Sequence, residues 1–131
     1  MSQFKATVTA IDSNDSINIV TFKTKAFKFS MMSLTLDENV QVGVEVMLGV
    51  KASSVAIAKE FTGALSYSNQ LPLEIVKIDS SKLLCSLELA SDGFTLESII
   101  TTNSKNRMQL KEQERVTALI KSSDLYIAEI L

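Results

Sequence analysis

The chain reads as an all-β protein made of two tandem five-stranded Greek-key barrels, each with one short helical turn. Three observations predict this. A strand–lysine–turn–strand pattern occurs twice, from Val44 to Ala58 and from Arg115 to Ala128. Short alternating runs bounded by turn residues recur along the rest of the chain. Composition is globular, 46% hydrophobic and 21% charged over 131 residues with a single proline, so neither disorder nor low complexity competes.

The doubled pattern sets the architecture, because a repeat outranks any local reading. Val44, Val46, Leu48 and Val50 share one strand face, since side chains in a strand alternate. Val116, Ala118 and Ile120 do the same in the second copy. Lys51 and Lys121 follow the last of these and point the other way. The turns after them are Ala52-Ser53-Ser54 and Ser122-Ser123-Asp124, whose small residues leave backbone N–H groups and hydroxyls open to a ligand. Neighbouring segments repeat too: Gln3-Phe4-Lys5 with Gln70-Leu71-Pro72, and Phe29–Ser33 with Ile100–Ser104. Ser30 precedes Lys51 by 21 positions and Thr101 precedes Lys121 by 20. The expected division is residues 1–62 and 63–131.

In chain order, Phe4 to Ile11 alternates as a strand, and Asp12 to Ser16 is a turn by composition. Ile17 to Phe22 and Ala26 to Phe29 read as a hairpin pair. Ser30 to Glu38 is expected to be a helical turn with Ser30 or Ser33 as its N-cap. Lys59 to Asn69 joins the units, most flexible at Thr62-Gly63. The second unit repeats the order with strands at Leu73–Ile78, Leu83–Leu89 and Thr95–Ile100, then a helical turn over Ser104–Leu110. Five strands and one helical turn per unit is the pattern of an OB-like barrel. Each unit has only about 60 residues, a size at which burial is marginal, so the halves must lean on each other or on other chains.

The motifs resemble a known family. Ser68-Asn69-Gln70-Leu71-Pro72, Ile100-Thr101-Thr102-Asn103-Ser104 and Ile120-Lys121-Ser122-Ser123, with weaker copies in the first unit, resemble the Mop family of molybdate-binding domains, also called molbindin or TOBE domains. The resemblance runs from Gln3 to Leu131 and implies the OB-like fold. It also implies binding of molybdate or tungstate at seams between units and between subunits, and hence a homo-oligomer, trimeric for a storage protein or dimeric for a sensor. The implied oxyanion contacts are Ser30, Ser33, Lys51, Ala52 and Ser53 in the first unit, and Ser66, Ser68, Asn69, Thr101, Ser104, Lys121, Ser122 and Ser123 in the second. The sequence departs from the family in its opening motif: Ser68 stands where the family has arginine, and the first unit's equivalent is cut to Met1-Ser2.

The residues fit an anion site on their own chemistry. A tetrahedral dianion presents only acceptor oxygens, so its pocket must supply donors alone: amides, hydroxyls and an ammonium. Other chemistry is poorly supplied. The chain has no histidine and no cysteine cluster, which leaves no zinc or iron site and no histidine-based catalysis. Cys85, the single cysteine, reads as a buried small hydrophobe and fits a cytoplasmic protein. There is no phosphate-binding glycine motif, so neither an enzyme nor an organic cofactor is expected. No apolar run approaches membrane-spanning length. Met31 and Met32 read as core filler. Lys23, Lys25 and Lys28 form a basic edge that discourages strand-to-strand aggregation.

A net charge of −2 and 6% aromatic residues argue against an OB-type nucleic-acid module, the alternative from a different class. Within the family, storage or buffering of molybdate in the cytoplasm competes with two other contexts. One is the ligand-sensing half of a molybdate-responsive regulator; the other is an accessory domain of a molybdate importer. A complete short protein and a regulator domain trimmed of its DNA-binding part both remain open.

Overall fold

The computed structural model describes residues 2–131. The first unit contains β1 (Ser2–Asn14), β2 (Ile17–Lys23), β3 (Lys28–Ser33), β4 (Glu45–Val50) and β5 (Ala56–Ala58). The second contains β6 (Asn69–Ser80), β7 (Leu84–Ser91), β8 (Phe94–Thr101), the helix α1 (Thr102–Arg107), β9 (Arg115–Ile120) and β10 (Tyr126–Ile130). Residues Ala52–Ser54 and Ser122–Asp124 form single 3-10 turns. Met1 lies outside the described residues.

Turn chemistry accounts for the tight hairpins. Asn14 pairs with Ile17 across Asp15 and Ser16, both at positive φ (50° and 70°), the geometry of a two-residue primed turn. Ser91 pairs with Phe94 across Asp92-Gly93, where φ is 48° and 84°, the same turn with its preferred dipeptide. The bulges also match: β1 slips between Val8 and Ala10, and β6 between Ile75 and Lys77.

Two five-stranded antiparallel sheets result, in the orders β10-β4-β1-β2-β3 and β5-β9-β6-β7-β8. The last strand of each unit has been exchanged. β5 pairs with β9, and β10 pairs with β4. The strands flanking each lysine turn therefore enter different sheets, and sheet membership departs from the 1–62 and 63–131 division at these two strands.

Inward side chains of both sheets form one buried cluster, including Phe22, Phe29 and Leu48 from the first unit and Leu71, Ile75 and Leu87 from the second. Phe94 bridges the units: its ring lies 5.0 Å from that of Phe4 and 5.2 Å from that of Phe27, both edge-on. Halves too small to stand alone share their apolar burial in this way. Cys85 is buried and free, as its neighbours predict. Met31 is buried in the core, but Met32, on the opposite strand face, is 41% exposed, which corrects its assignment as filler.

The first expected helical turn is absent. Ser30 and Ser33 lie in β3, not at a helix N-terminus. The registers explain why. Val8 pairs with Phe22 as Ile75 pairs with Leu89, an offset of 67 residues, whereas Ser2 pairs with Val50 as Asn69 pairs with Ile120, a partner offset of 70. The connection between the third and fourth strands is thus three residues shorter in the first unit. That is nearly one helical turn of chain.

Candidate functional site

Two seams join the units, one beside each lysine turn. At the first, the Ala52–Ser54 turn packs on β8. The Ser98 hydroxyl, fully buried, donates to the Val55 carbonyl at 2.6 Å. The backbone N–H of Glu97 donates to the Ser2 hydroxyl at 2.9 Å. At the second seam, the Ser122–Asp124 turn packs on β3. The Asn69 carboxamide, 1% exposed, makes three bonds there. Its Oδ1 accepts from the Ser30 N–H at 2.8 Å, and its Nδ2 donates to the carbonyls of Ser30 at 3.0 Å and Ile120 at 3.1 Å.

These contacts revise the grouping read from the sequence. The lysine turn of each unit sits against the third strand of the other, because the chain crosses between sheets after each turn. They also revise the internal alignment. Ser30 pairs with Thr21 and Glu97 with Glu88, one unit apart, so the counterpart of Ser30 is Glu97 and not Thr101. Thr101 corresponds to Leu34, which is 71% exposed.

Asn69 is not a free donor. Both of its polar atoms are committed to the backbone, so it stitches the seam. Ser33 is likewise engaged locally, its hydroxyl bonded to the Thr35 carbonyl and accepting from the Thr35 N–H at 3.2 Å. Ser66, Ser68, Lys51, Ser53, Lys121 and Ser123 are exposed, while Ala52 is buried in its turn and Ser122 is half-buried. The first N–H groups of a short turn have no partner inside it, so backbone donors remain near each lysine.

The expected helical turn of the second unit is present as α1. Thr101 is its N-cap, accepting from the Ser104 N–H at 3.1 Å. The Thr101 hydroxyl donates to Ser104 Oγ at 2.9 Å, and Arg107 Nη2 donates to the same oxygen at 3.1 Å. Ser104 Oγ accepts two bonds, so its own hydrogen points elsewhere, toward solvent or a ligand. No hydrogen bond among the described residues joins this group to Lys51 or Lys121.

Sequence reasoning missed two cations here. Arg107 lies three residues beyond Ser104, a spacing that puts the two side chains on one helix face and was legible once the helix was placed. Lys59 is at the end of β5, and its Nζ donates to the carbonyls of Met108 at 3.0 Å and Gln109 at 3.1 Å and pairs with Glu114 at 2.9 Å. The Lys59 hydrogen bond, helped by the Lys111 N–H, holds the Glu114 carboxyl below the ordinary carboxylate range. No local pattern announces Lys59, because its partners are about 50 residues away.

A cleft of about 700 Å³ opens where the first unit lacks a helix. Met31, Leu34, Leu36 and Leu125 line it together with Ser33, Ser123, Asp37 and Glu129. Two carboxylates and an apolar wall make it a poor seat for an anion.

The TOBE domain profile matches residues 65–127. The fold is similar to that of the cytoplasmic molybdate-binding protein ModG, in a crystal form with molybdate bound, with a TM-score of 0.89 and 24% identity over 96% of this chain and 94% of that one. No curated protein sequence matches the chain significantly. The strand registers of the two units match at an offset of 67 residues.

Proposed function

We propose that the protein binds molybdate or tungstate and stores or buffers it in the cytoplasm, as a binder and not a catalyst. The observation that carries this reading is the exposed donor cluster of Thr101, Ser104 and Arg107, set on a fold shared along nearly the whole chain with a molybdate-bound protein. The cluster offers the Ser104 hydroxyl hydrogen and a guanidinium, which suit an oxyanion that can only accept. The two units are tandem OB-like Mop repeats, supported by their equal strand orders and matched bulges.

Within one chain the donors stay dispersed. Thr101 and Ser104 sit at the start of α1, Lys51 to Ser53 at one turn, Lys121 to Ser123 at the other, and Ser66 and Ser68 in the connection before β6. Seats completed between copies of the chain bring such groups together, so a homo-oligomer, trimer or dimer, belongs to the proposal. Selectivity follows from chemistry. Sulfate is smaller than molybdate, and phosphate near neutral pH carries a proton that needs an acceptor.

Calorimetric titration with molybdate, tungstate and sulfate, alongside light scattering, tests the reading. We expect binding of the first two and not the third, to a species larger than one chain. Lys121→Ala should weaken molybdate by about tenfold, as loss of a charge-assisted bond does, while Lys82→Ala should leave it unchanged. Equal affinities for the two variants would remove the lysine turn from the site, and absence of molybdate binding would end the proposal.

A further inference from the structure

We propose that Lys59 is a positioning residue for this oxyanion site, holding α1 and its hydroxyl pair against the strand that leaves the Lys51 turn. The inference rests on the reading above. The Lys59 ammonium makes three contacts, to the carbonyls of Met108 and Gln109 and to the Glu114 carboxylate. These span the C-terminal end of α1 and the approach to β9. An ammonium at that end satisfies carbonyls that the helix itself leaves open and meets the negative end of its dipole. Lys59 follows β5, and β5 follows the Lys51 turn, so one side chain ties the first unit's turn to the second unit's helix.

The first unit provides an internal control. At the matching place the last strand carries Glu129 and Ile130, neither of which can satisfy carbonyls in this way. The connection it would hold, three residues shorter, forms isolated turns such as Val40 N–H to the Asp37 carbonyl at 3.0 Å, with no helix. The cleft described above lies there, lined by Glu129 and Ile130. Where the ammonium is present, the segment is helical and its hydroxyls converge.

The experiment measures molybdate affinity of the full chain in K59M, K59R and E114Q, with amide hydrogen exchange over residues 105–110. We expect K59M to bind about tenfold more weakly, the size typical of losing a supporting contact behind a ligand site, with faster exchange in α1 and unchanged exchange in the strands. K59R should recover most of the affinity, since a guanidinium can bond the same carbonyls. E114Q should stay near wild type, because the two carbonyl bonds persist.

Wild-type affinity in K59M would overturn the inference. So would affinities that simply track net charge, with E114Q tighter than wild type and the differences vanishing in salt. If K59M fails to fold, K59R and E114Q still decide between support and charge. A wild-type chain that binds no molybdate would instead remove the functional proposal itself.

Discussion

The two units share strand order, bulges and register, yet only the second ends its third strand in a helix with a capped hydroxyl pair. The first has Leu34 where the second has Thr101, and a connection three residues shorter. Small differences in one connection therefore separate a donor-bearing end from a cleft edged by two carboxylates, with the strand order of the sheets unchanged. The seams diverge in the same way. Asn69 makes three bonds at one, while at the other its counterpart Ser2 accepts one among the described residues, from the Glu97 N–H. The exchanged strands show the reverse, difference with compensation. Tyr126 of β10 covers Gly49, whereas the matching pair in the other sheet is Ala56 with Leu119, large and small swapped. A total volume conserved across a contact keeps the packing tight.

The seam asymmetry should give the largest effect. Asn69→Ala removes a buried group whose partners then lack bonds, a loss of roughly 2–3 kcal/mol. Ser2→Ala should cost less than about 1 kcal/mol. Urea midpoints of the two variants test this, and equal shifts would show that the seams carry equal weight.

Next comes the covered glycine. A Cβ on Gly49 would lie 2.5 Å from the Tyr126 ring, so Gly49→Ala should cost about 1–3 kcal/mol by displacing it. In a Tyr126→Ala background most of that cost should vanish, and a double-mutant cycle reads the coupling. Additive effects would mean that the ring moves aside freely.

The smallest effect concerns the ion pair that only the helical end possesses among the contacts described above. The Glu114 carboxyl is held below its ordinary range, chiefly by Lys59, so its protonation is harder in the folded chain. Its stabilisation is present above the unfolded carboxylate value and is lost as pH falls through the lower folded value. The urea-midpoint difference between wild type and Glu114→Gln should therefore be constant near neutral pH and shrink toward pH 3, starting from no more than about 1 kcal/mol. A difference that grows on acidification would reverse the sign of the linkage.

Much of this was legible from residue order. Strand faces, the exposed Lys51 and Lys121 and a helical turn after the second unit's third strand all follow from patterns a few residues long. Ser30 and Ser33 misled because a serine near a strand end reads the same as a helix cap. Asn69 misled because a buried carboxamide and a ligand donor share one side chain, and burial decides between them.

What the residue order determined alone was therefore local: two-residue alternation, primed turns and a doubled pattern, each encoded in neighbouring side chains. The tertiary structure alone decided which strands pair, so that β5 and β10 change sheets and each lysine turn faces the other unit. Alternation says which face of a strand is buried and nothing about the partner beside it. That choice falls to the shared core, which closes only when both halves contribute.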